Sequence, residues 1–152
     1  MTLKIVKVHP DSDQAILLQN ELSAKLLEIT GDTGESSFNT QDFNESTQSI
    51  FIILLKDSAP VACGSIRPIS SRICEIKRMY SKLPKNGFGN LILAELETFA
   101  KESGYKEIWL STRKINSKAI QFYLKNNYRI QPNYGRYQFT TTSICFSKQL
   151  AI

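Results

Sequence analysis

The sequence predicts a mixed α/β fold organised around one sheet, and three observations support that prediction. Runs of β-branched and aromatic residues bounded by turn-forming residues predict strands, most clearly at residues 50–56 and 73–81. Apolar residues at helical spacing predict helices over residues 15–29 and from Phe88 onwards. Strands and helices alternate along the chain, as expected of helices packed on a sheet. No repeat or linker interrupts the 152 residues, so we expect one domain over residues 1–152.

The first third of the chain predicts a strand, a helix and a polar loop. Residues 2–8 alternate apolar and polar side chains, as a half-buried strand does. Asp11 or Ser12 can cap the helix that follows. The apolar residues expected on one face of this helix are Ile16, Leu17, Leu22, Leu26 and Leu27. Residues 31–49 then form a polar loop, in which a short helix is expected from Thr40.

The middle of the chain predicts a hairpin, a central strand and a long helix with one apolar face. Residues 50–56 and 61–67 read as strands joined by a turn at residues 57–60. Residues 73–81 follow as the central strand. The helix beginning at Phe88 runs to Gly104. Its expected apolar face consists of Phe88, Leu91, Ile92, Leu96, Phe99 and Ala100.

The last third predicts a strand, a helix and two further strands. Residues 106–111 read as a strand, and residues 116–126 as a helix that Asn126 and Asn127 can end through a left-handed residue. A strand is expected to start at residues 128–130, and residues 143–150 form the last one.

Composition narrows the classes of protein to which the chain can belong. No apolar run is long enough to span a membrane, and no signal-peptide core follows the N-terminus, so we expect a cytoplasmic protein. Cys63, Cys74 and Cys145 lie in apolar or alternating runs and are expected to be buried, reduced thiols. His9 is the single histidine, so we expect no metal site.

A loop of chain-breaking residues separates the central strand from the helix that begins at Phe88. The first N–H groups of a helix lack internal partners and carry partial positive charge. Gly87 and Gly89 would let an anion approach that backbone, and Lys82 and Lys85 add charge. The sequence therefore predicts a phosphate site, although a turn that only starts the helix is the alternative. Neither the P-loop pattern nor the third glycine of the dinucleotide fingerprint is present.

This loop resembles the acetyl-CoA-binding motif of the GNAT superfamily of N-acetyltransferases, Gln/Arg-x-x-Gly-x-Gly/Ala, which follows a strand and precedes a long helix. Residues 84–89 occupy the motif, with Pro84 in place of Gln or Arg and a shorter loop before it. Residues 77–80 resemble the family's central strand, and residues 119–128 resemble its Ala-x-x-Phe-Tyr segment. The likeness covers residues 50–150.

The resemblance implies the GNAT fold: a mixed, mostly antiparallel sheet, splayed where the cofactor binds and flanked by helices. It implies acetyl-CoA as cosubstrate and acetyl transfer to a primary amine by direct attack in a ternary complex. The residues expected to contact acetyl-CoA are Met79, Ser81, Pro84, Lys85, Asn86, Gly87, Phe88, Gly89, Asn90 and Asn116. Met79 and Ser81 would run alongside pantetheine, and the helix-start amides would hold the pyrophosphate. Asn116 can also cap its own helix, and the two roles are compatible.

Tyr123 is the candidate general acid. The resemblance places it where the family's tyrosine meets the CoA sulfur, and a phenol there can donate a proton or a strong hydrogen bond to the thiolate. Its apolar neighbours Phe122 and Leu124 are equally typical of a core tyrosine, and spacing alone favours that structural role.

Glu75 is the candidate base, acting through water. Strict alternation along the central strand would place Glu75, Lys77 and Met79 on one face and Cys74, Ile76, Arg78 and Tyr80 on the other. The alternative role for Glu75 is an ion pair with Lys77 or with a neighbouring strand.

The loop of residues 31–49 is a candidate for the acceptor side of the site. It is acidic and contains no lysine or arginine; its acidic residues are Asp32, Glu35, Asp42 and Glu45. Negative charge attracts a cationic amine, although a solvated loop is the simpler reading. Phe38 and Phe43 could close over a substrate or only anchor the loop.

The expected partners follow from this reading. They are a small-molecule or protein amine and a second copy of the chain in a homodimer, with no nucleic acid and no membrane. Two alternatives remain. The altered phosphate loop suits a CoA-binding module without catalysis, whereas the net charge of +5 suits a basic nucleic-acid-binding domain.

Overall fold

The structure, a computed structural model, describes residues 2–44, 48–83 and 86–151, and within them seven strands form one sheet with helices against it. The strands are β1 (Leu3–Lys7), β2 (Ile50–Lys56), β3 (Ala59–Pro68), β4 (Ile73–Ser81), β5 (Glu107–Arg113), β6 (Arg129–Gln131) and β7 (Ser143–Gln149). The helices are α1 (Asp13–Thr30), α2 (Phe88–Glu102) and α3 (Ser117–Lys125). Short 3₁₀ segments lie at Glu35–Ser37, Thr40–Phe43 and Gly135–Tyr137. The predicted elements are therefore present, with ends that move by a few residues.

The order of strands in the sheet is β1-β2-β3-β4-β5-β7-β6, and every neighbouring pair is antiparallel except β4 with β5. The parallel pairing is short: Ile73–Glu75 of β4 lie opposite Glu107–Trp109 of β5, and the two strands then separate. The separation opens the middle of the sheet. The predicted mixed, mostly antiparallel and splayed α/β fold is confirmed.

A β-bulge in β4 changes which side chains face which way. Cys63 pairs with Tyr80 but Ser65 pairs with Lys77, so β4 carries one extra residue across this interval. Arg78 absorbs it with a left-handed φ of 57°. The prediction of strict alternation is wrong from this point onwards, because the extra residue reverses the phase. Met79 packs against the α2 core, not on the face of Glu75.

The two faces of the sheet carry separate apolar clusters. On the first face, α2 and α3 cover a large core that includes Ile76, Leu96 and Phe146. On the other face, α1 covers a smaller cluster around Leu18 and Phe51. We call these the α2 face and the α1 face.

The helices bury somewhat different residues from those predicted. In α1 the buried positions are Ala15, Leu18, Leu22 and Ser23, whereas Ile16, Leu17 and Leu27 are exposed. In α2 the predicted face is buried except that Leu91 is exposed and Phe99 is only partly buried, and Leu93 joins the core. Each helix has more apolar residues than one face can bury. Its contact with the sheet therefore decides which of them are buried.

Local geometry explains the helix ends and the hairpin. Ser12 is the N-cap residue of α1, and Gly31 ends it with a φ of 81°, its N–H donating to the Leu27 carbonyl at 3.0 Å. Asn127, with a φ of 70°, supplies the predicted left-handed residue after α3. The hairpin turn needs only Asp57 and Ser58, both at positive φ, so β3 begins earlier than predicted.

The loop after α1 is structured as far as residue 44. Thr40–Phe43 is a 3₁₀ turn at the position of the predicted short helix. Phe38 and Phe43 stack on each other at 5.4 Å between ring centroids, and each packs on Phe51 at 6.2 Å. Both phenylalanines therefore anchor the loop to the sheet. Glu45 lies outside the described residues.

No helix in the described parts of the chain combines the length and the apolar composition needed to cross a membrane.

Candidate active site

A cleft of about 320 Å³ lies where β4 and β5 separate. Its walls come from both strands, from α1 and the residues after it, from α3 and from residues 136–143. Met79, Asn116 and Tyr123 line it. The cleft exists because β4 and β5 stop pairing after three residues, so the backbone of each strand turns towards open space.

The predicted anion site falls at the N-terminus of α2. The first hydrogen bond of the helix is the one that the Leu91 N–H donates to the Gly87 carbonyl at 3.2 Å. The N–H groups just before Leu91 therefore have no acceptor within the helix. Gly87 has a φ of 76°, and a Cβ built on it would meet no atom of the described residues within 4 Å. The backbone there is both left-handed and open. An anion can therefore approach the amides closely.

The remaining predicted residues of this loop have different surroundings. Phe88 buries its side chain in the α2 core, so only its backbone is available to a ligand. Gly89 lies against Phe122, whose Cε1 would be 3.3 Å from an added Cβ. Asn90 accepts a hydrogen bond from Asn126 at 3.2 Å, which ties the start of α2 to the end of α3. Asn86 begins the described residues of this segment, whereas the predicted contacts Pro84 and Lys85 lie outside them.

Tyr123 forms part of the cleft wall from α3. Its ring packs among Phe122, Tyr128 and Phe146, at centroid distances of 5.1, 5.5 and 6.1 Å, and only 6% of the residue is exposed. Burial raises the pKa of the phenol, so the hydroxyl stays protonated. Within the described residues, that hydroxyl makes no hydrogen bond. Tyr123 therefore belongs to the apolar core and also lines the cleft.

Met79 and Ser81 lie on the cleft side of β4, beyond the bulge. Met79 lines the cleft and packs over Gly64, where an added Cβ would lie 2.5 Å from the Met79 sulfur. Glycine at position 64 is thus required for the Met79 side chain to pack closely over β3. The Ser81 hydroxyl oxygen is buried and has no hydrogen-bond partner among the residues that the structure describes.

Asn116 is the N-cap of α3, as predicted. Its side-chain oxygen accepts a hydrogen bond from the Ala119 N–H at 3.3 Å. Asn116 also lines the cleft, so its predicted contact with the cofactor stays open beside the capping role.

Glu75 lies in a second cavity, on the α1 face. This side cavity, of about 420 Å³, adjoins the cleft and shares with it the lining residues Ser36, Ser37, Lys77, Arg136 and Tyr137. Glu75 accepts from Arg67 at 3.1 Å, lies 3.6 Å from the Lys77 ammonium, and accepts from the Tyr134 hydroxyl. The ion pairs that the sequence offered as an alternative are present. The role of Glu75 as base stays a prediction.

A chain of charges lining the side cavity was not predicted. Arg67 also bonds Asp42 at 2.9 Å, and Lys77 donates to the Tyr137 hydroxyl at 2.7 Å. Charges therefore alternate in the order Asp42, Arg67, Glu75 and Lys77. One signal could have found part of it, because Arg67 and Glu75 are directly opposite across the β3–β4 ladder. Asp42 lies in the loop after α1, and only the conformation of that loop brings it next to Arg67.

Arg78 is a second residue that sequence reasoning missed. Its bulge conformation directs the guanidinium beneath α1, where it donates to the Gln19 carbonyl at 3.0 Å and to the Ser23 hydroxyl at 2.6 Å. It also donates to the Thr33 carbonyl at 3.1 Å. Burial lowers the pKa of this guanidinium below its ordinary value. Arg78 thus connects the bulge to the loop that forms one wall of the cleft.

Comparison with known proteins gives the same fold and a family. The family model described as "Acetyltransferase (GNAT) family" matches residues 18–128. A candidate acyl-CoA N-acyltransferase from Klebsiella pneumoniae superposes with a TM-score of 0.82 at 23% identity, covering 99% of both chains. The PaiA N-acetyltransferase from Thermoplasma acidophilum, solved with coenzyme A, superposes with a TM-score of 0.77 at 19% identity, covering 98% of this chain and 99% of that one.

A third solved structure, also with a ligand, has the same fold. It is a GNAT family acetyltransferase from Elizabethkingia anophelis with acetyl-CoA bound, similar at a TM-score of 0.69 and 17% identity over 97% of this chain and 98% of that one. At such identities the superpositions show the fold, whereas the family model covers most of the chain. Together with the open β4–β5 cleft, the match to that model shows that this chain belongs to the acetyltransferase (GNAT) family.

Proposed function

We propose that this protein is an N-acetyltransferase that moves an acetyl group from acetyl-CoA to a primary amine by direct attack in a ternary complex. The observation that carries the proposal is Tyr123, whose protonated hydroxyl has no partner among the described residues and belongs to a side chain that lines the cleft. Membership of the GNAT family supports acetyl transfer. The amine acceptor and the roles of individual residues belong to the proposal.

The residues present fit acetyl-CoA. The open amides at the start of α2 suit the pyrophosphate, because they combine unpaired N–H groups with the positive end of the helix. The backbone of β4 from Met79 to Ser81, where β4 has separated from β5, suits the amide groups of pantetheine. An extended ligand following β4 would have its thioester end among Met79, Asn116 and Tyr123.

The proposed chemistry balances without a covalent enzyme intermediate. The amine nitrogen forms a bond to the thioester carbonyl carbon, the carbon–sulfur bond breaks, and CoA leaves as a thiol. Tyr123 donates a hydrogen bond or a proton to the departing sulfur. Glu75, acting through water, receives the proton that the amine loses. Because Glu75 lines the side cavity and not the cleft, this proton must cross the wall shared by the two.

Substitution of Tyr123 by phenylalanine tests the proposal. We expect Tyr123→Phe to lower kcat about 100-fold, within the usual contribution of a general acid, while acetyl-CoA still stabilises the fold. The readouts are CoA release with a panel of amines and thermal unfolding with and without acetyl-CoA. Ligand at about a hundred times its Kd adds roughly 2.7 kcal/mol to the free energy of unfolding.

A matched control is Tyr105→Phe. Tyr105 is also buried, and its hydroxyl donates to the Gln48 carbonyl at 2.8 Å, outside the cleft lining. This variant is expected to keep its kcat. Unchanged kcat in Tyr123→Phe would remove the acid role. Stabilisation by acetyl-CoA with no CoA release from any amine would point instead to a CoA-binding module.

A further inference from the structure

The side cavity is placed to hold the acceptor. It lies next to the cleft, and Ser36, Ser37, Lys77, Arg136 and Tyr137 line both. A small molecule in the side cavity could therefore extend a nitrogen through this common boundary towards the thioester end of the cleft. Its volume of about 420 Å³ is within the range of small-molecule sites.

The negative charges of the side cavity are already neutralised. Asp42 pairs with Arg67 at 2.9 Å, and Glu75 pairs with both Arg67 at 3.1 Å and Lys77 at 3.6 Å. Glu75 also accepts from the Tyr134 hydroxyl. Neither carboxylate is thus available to attract an ammonium group without first losing an internal partner, and that loss is most costly for Glu75, whose side chain is 5% exposed.

Arg136 leaves the cavity with an excess of positive charge. The charged lining residues are two carboxylates and three cations, and the third cation is Arg136. Its guanidinium donates to the Ser36 carbonyl at 3.0 Å, and among the described residues it forms no ion pair. A guanidinium has five N–H donors in a fork that matches a carboxylate, so most of its donors are left for a ligand.

We propose that the acceptor is an amine that carries a carboxylate, as an amino acid does, and that Arg136 binds this carboxylate at the boundary between the side cavity and the cleft. This inference rests on the proposed acetyl transfer and specifies its substrate class. The same charges would assist the reaction, because positive surroundings lower the pKa of an amine and favour the neutral nucleophile. A polyamine, with several positive charges and no anion, would be disfavoured for the same reason.

The test compares amino acids with the amines that remain when the carboxylate is removed. Phenylalanine is paired with phenethylamine, and lysine with cadaverine, in a CoA-release assay. We expect kcat/KM to favour the amino acid of each pair at least about tenfold. Arg136→Gln should lower kcat/KM for the amino acids on the order of 10- to 100-fold, the size of one lost charge-assisted contact.

Three further readouts separate recognition of the acceptor from other roles of Arg136. In Arg136→Gln the KM for acetyl-CoA should stay the same and the activity with carboxylate-free amines should not fall, whereas Arg136→Lys should recover part of the loss with the amino acids. The matched control is Arg129→Gln, an exposed arginine on β6 that lines neither cavity. It should behave as the wild type.

Two results would overturn the inference. One is a preference for phenethylamine or cadaverine in the wild type, which would leave acetyl transfer intact but reject this substrate class. The other is a raised KM for acetyl-CoA in Arg136→Gln, which would assign Arg136 to the cofactor.

A binding measurement separates this inference from the proposed function. If no compound releases CoA, thermal unfolding in the presence of CoA and each ligand decides. Stabilisation by the amino acids that is lost in Arg136→Gln would support the carboxylate site without the transfer reaction. Stabilisation by neither member of each pair would reject the site.

Discussion

Different interactions stabilise the packing on the two faces of the sheet. On the α2 face, helices cover a continuous apolar core, and the ligand-facing groups are mainly backbone amides at a helix start. On the α1 face the apolar cluster is small, and beside it the side cavity is built from linked charges and tyrosine hydroxyls. The comparison teaches that the proposed cofactor site depends on shape and backbone geometry, whereas the proposed acceptor site depends on charge.

This difference agrees with what each face would have to recognise. The proposed acetyl-CoA is a fixed cosubstrate, so its site can be built from backbone and packing. An acceptor must be distinguished from other amines, which requires specific polar groups. We therefore expect changes on the α2 face to act mainly on stability, and changes in the charged chain to act on both stability and acceptor use.

The largest expected effect is on the α2 face. Leu96→Ala removes a fully buried side chain and should lower the free energy of unfolding by about 2–5 kcal/mol, because it leaves a cavity. Denaturant unfolding measures this loss. The matched control is Leu91→Ala on the same helix, where the residue is 42% exposed and the change should stay below about 0.5 kcal/mol. Equal losses in the two variants would contradict an α2 face held by apolar packing.

A smaller effect is expected in the charged chain. Glu75→Gln removes the charge that faces Arg67 and Lys77 and should cost about 2 kcal/mol, since hydrogen bonds to charged groups contribute roughly 1.5–3 kcal/mol. Partial exposure of Arg67, at 30%, moderates the loss. Denaturant unfolding is again the measurement, with the exposed Glu102→Gln as control. If Glu75→Gln is as stable as the wild type, the charged chain does not stabilise the α1 face.

The effect that is smallest at neutral pH appears only as the pH becomes alkaline, and it reports on both faces. Cys63 belongs to the α1 cluster and Cys74 to the α2 core, and burial raises the pKa of each thiol from 9.0 to about 12. The folded state therefore holds these protons more tightly than the unfolded chain. Their stabilising contribution is complete below about pH 9 and is lost as the pH rises towards about 12.

Unfolding midpoints measured from neutral to alkaline pH test this expectation. Cys63→Ala and Cys74→Ala should each make the alkaline decline shallower, because each removes one group whose pKa is raised. A decline as steep as in the wild type for one variant only would show that the corresponding face admits water.

The sequence predicted the local geometry of the proposed cofactor site better than the contacts of the proposed acceptor site. Gly87, Gly89 and Asn116 act through local geometry, a helix start and a cap, and local geometry can be read from neighbouring residues. Asp42 meets Arg67 across 25 positions and Tyr134 meets Glu75 across 59, so no local pattern contains these contacts. Arg136 follows the same rule, since its partner Ser36 lies 100 positions away.

The bulge at Arg78 shows why a correct strand prediction still gave a wrong face. Residue types along β4 predict its extent well. The prediction of which side chains share a face assumes strict alternation, which holds only if no extra residue is inserted into the β3–β4 ladder. The insertion is decided by β3 and α2, because Gly64 lets Met79 pack closely over it and beside Leu96. One extra residue then turns Arg78 under α1.

By itself, the sequence determined the α/β class, the order of elements, the helix start that suits a pyrophosphate and the likeness to the GNAT superfamily, because these depend on periodicity and on contiguous motifs. Only the tertiary structure decided where β4 and β5 separate, which face Met79 takes, and that Glu75 shares its cavity with Arg136. Those features depend on contacts between residues distant in the chain, whose energies are settled when the sheet and its loops pack together.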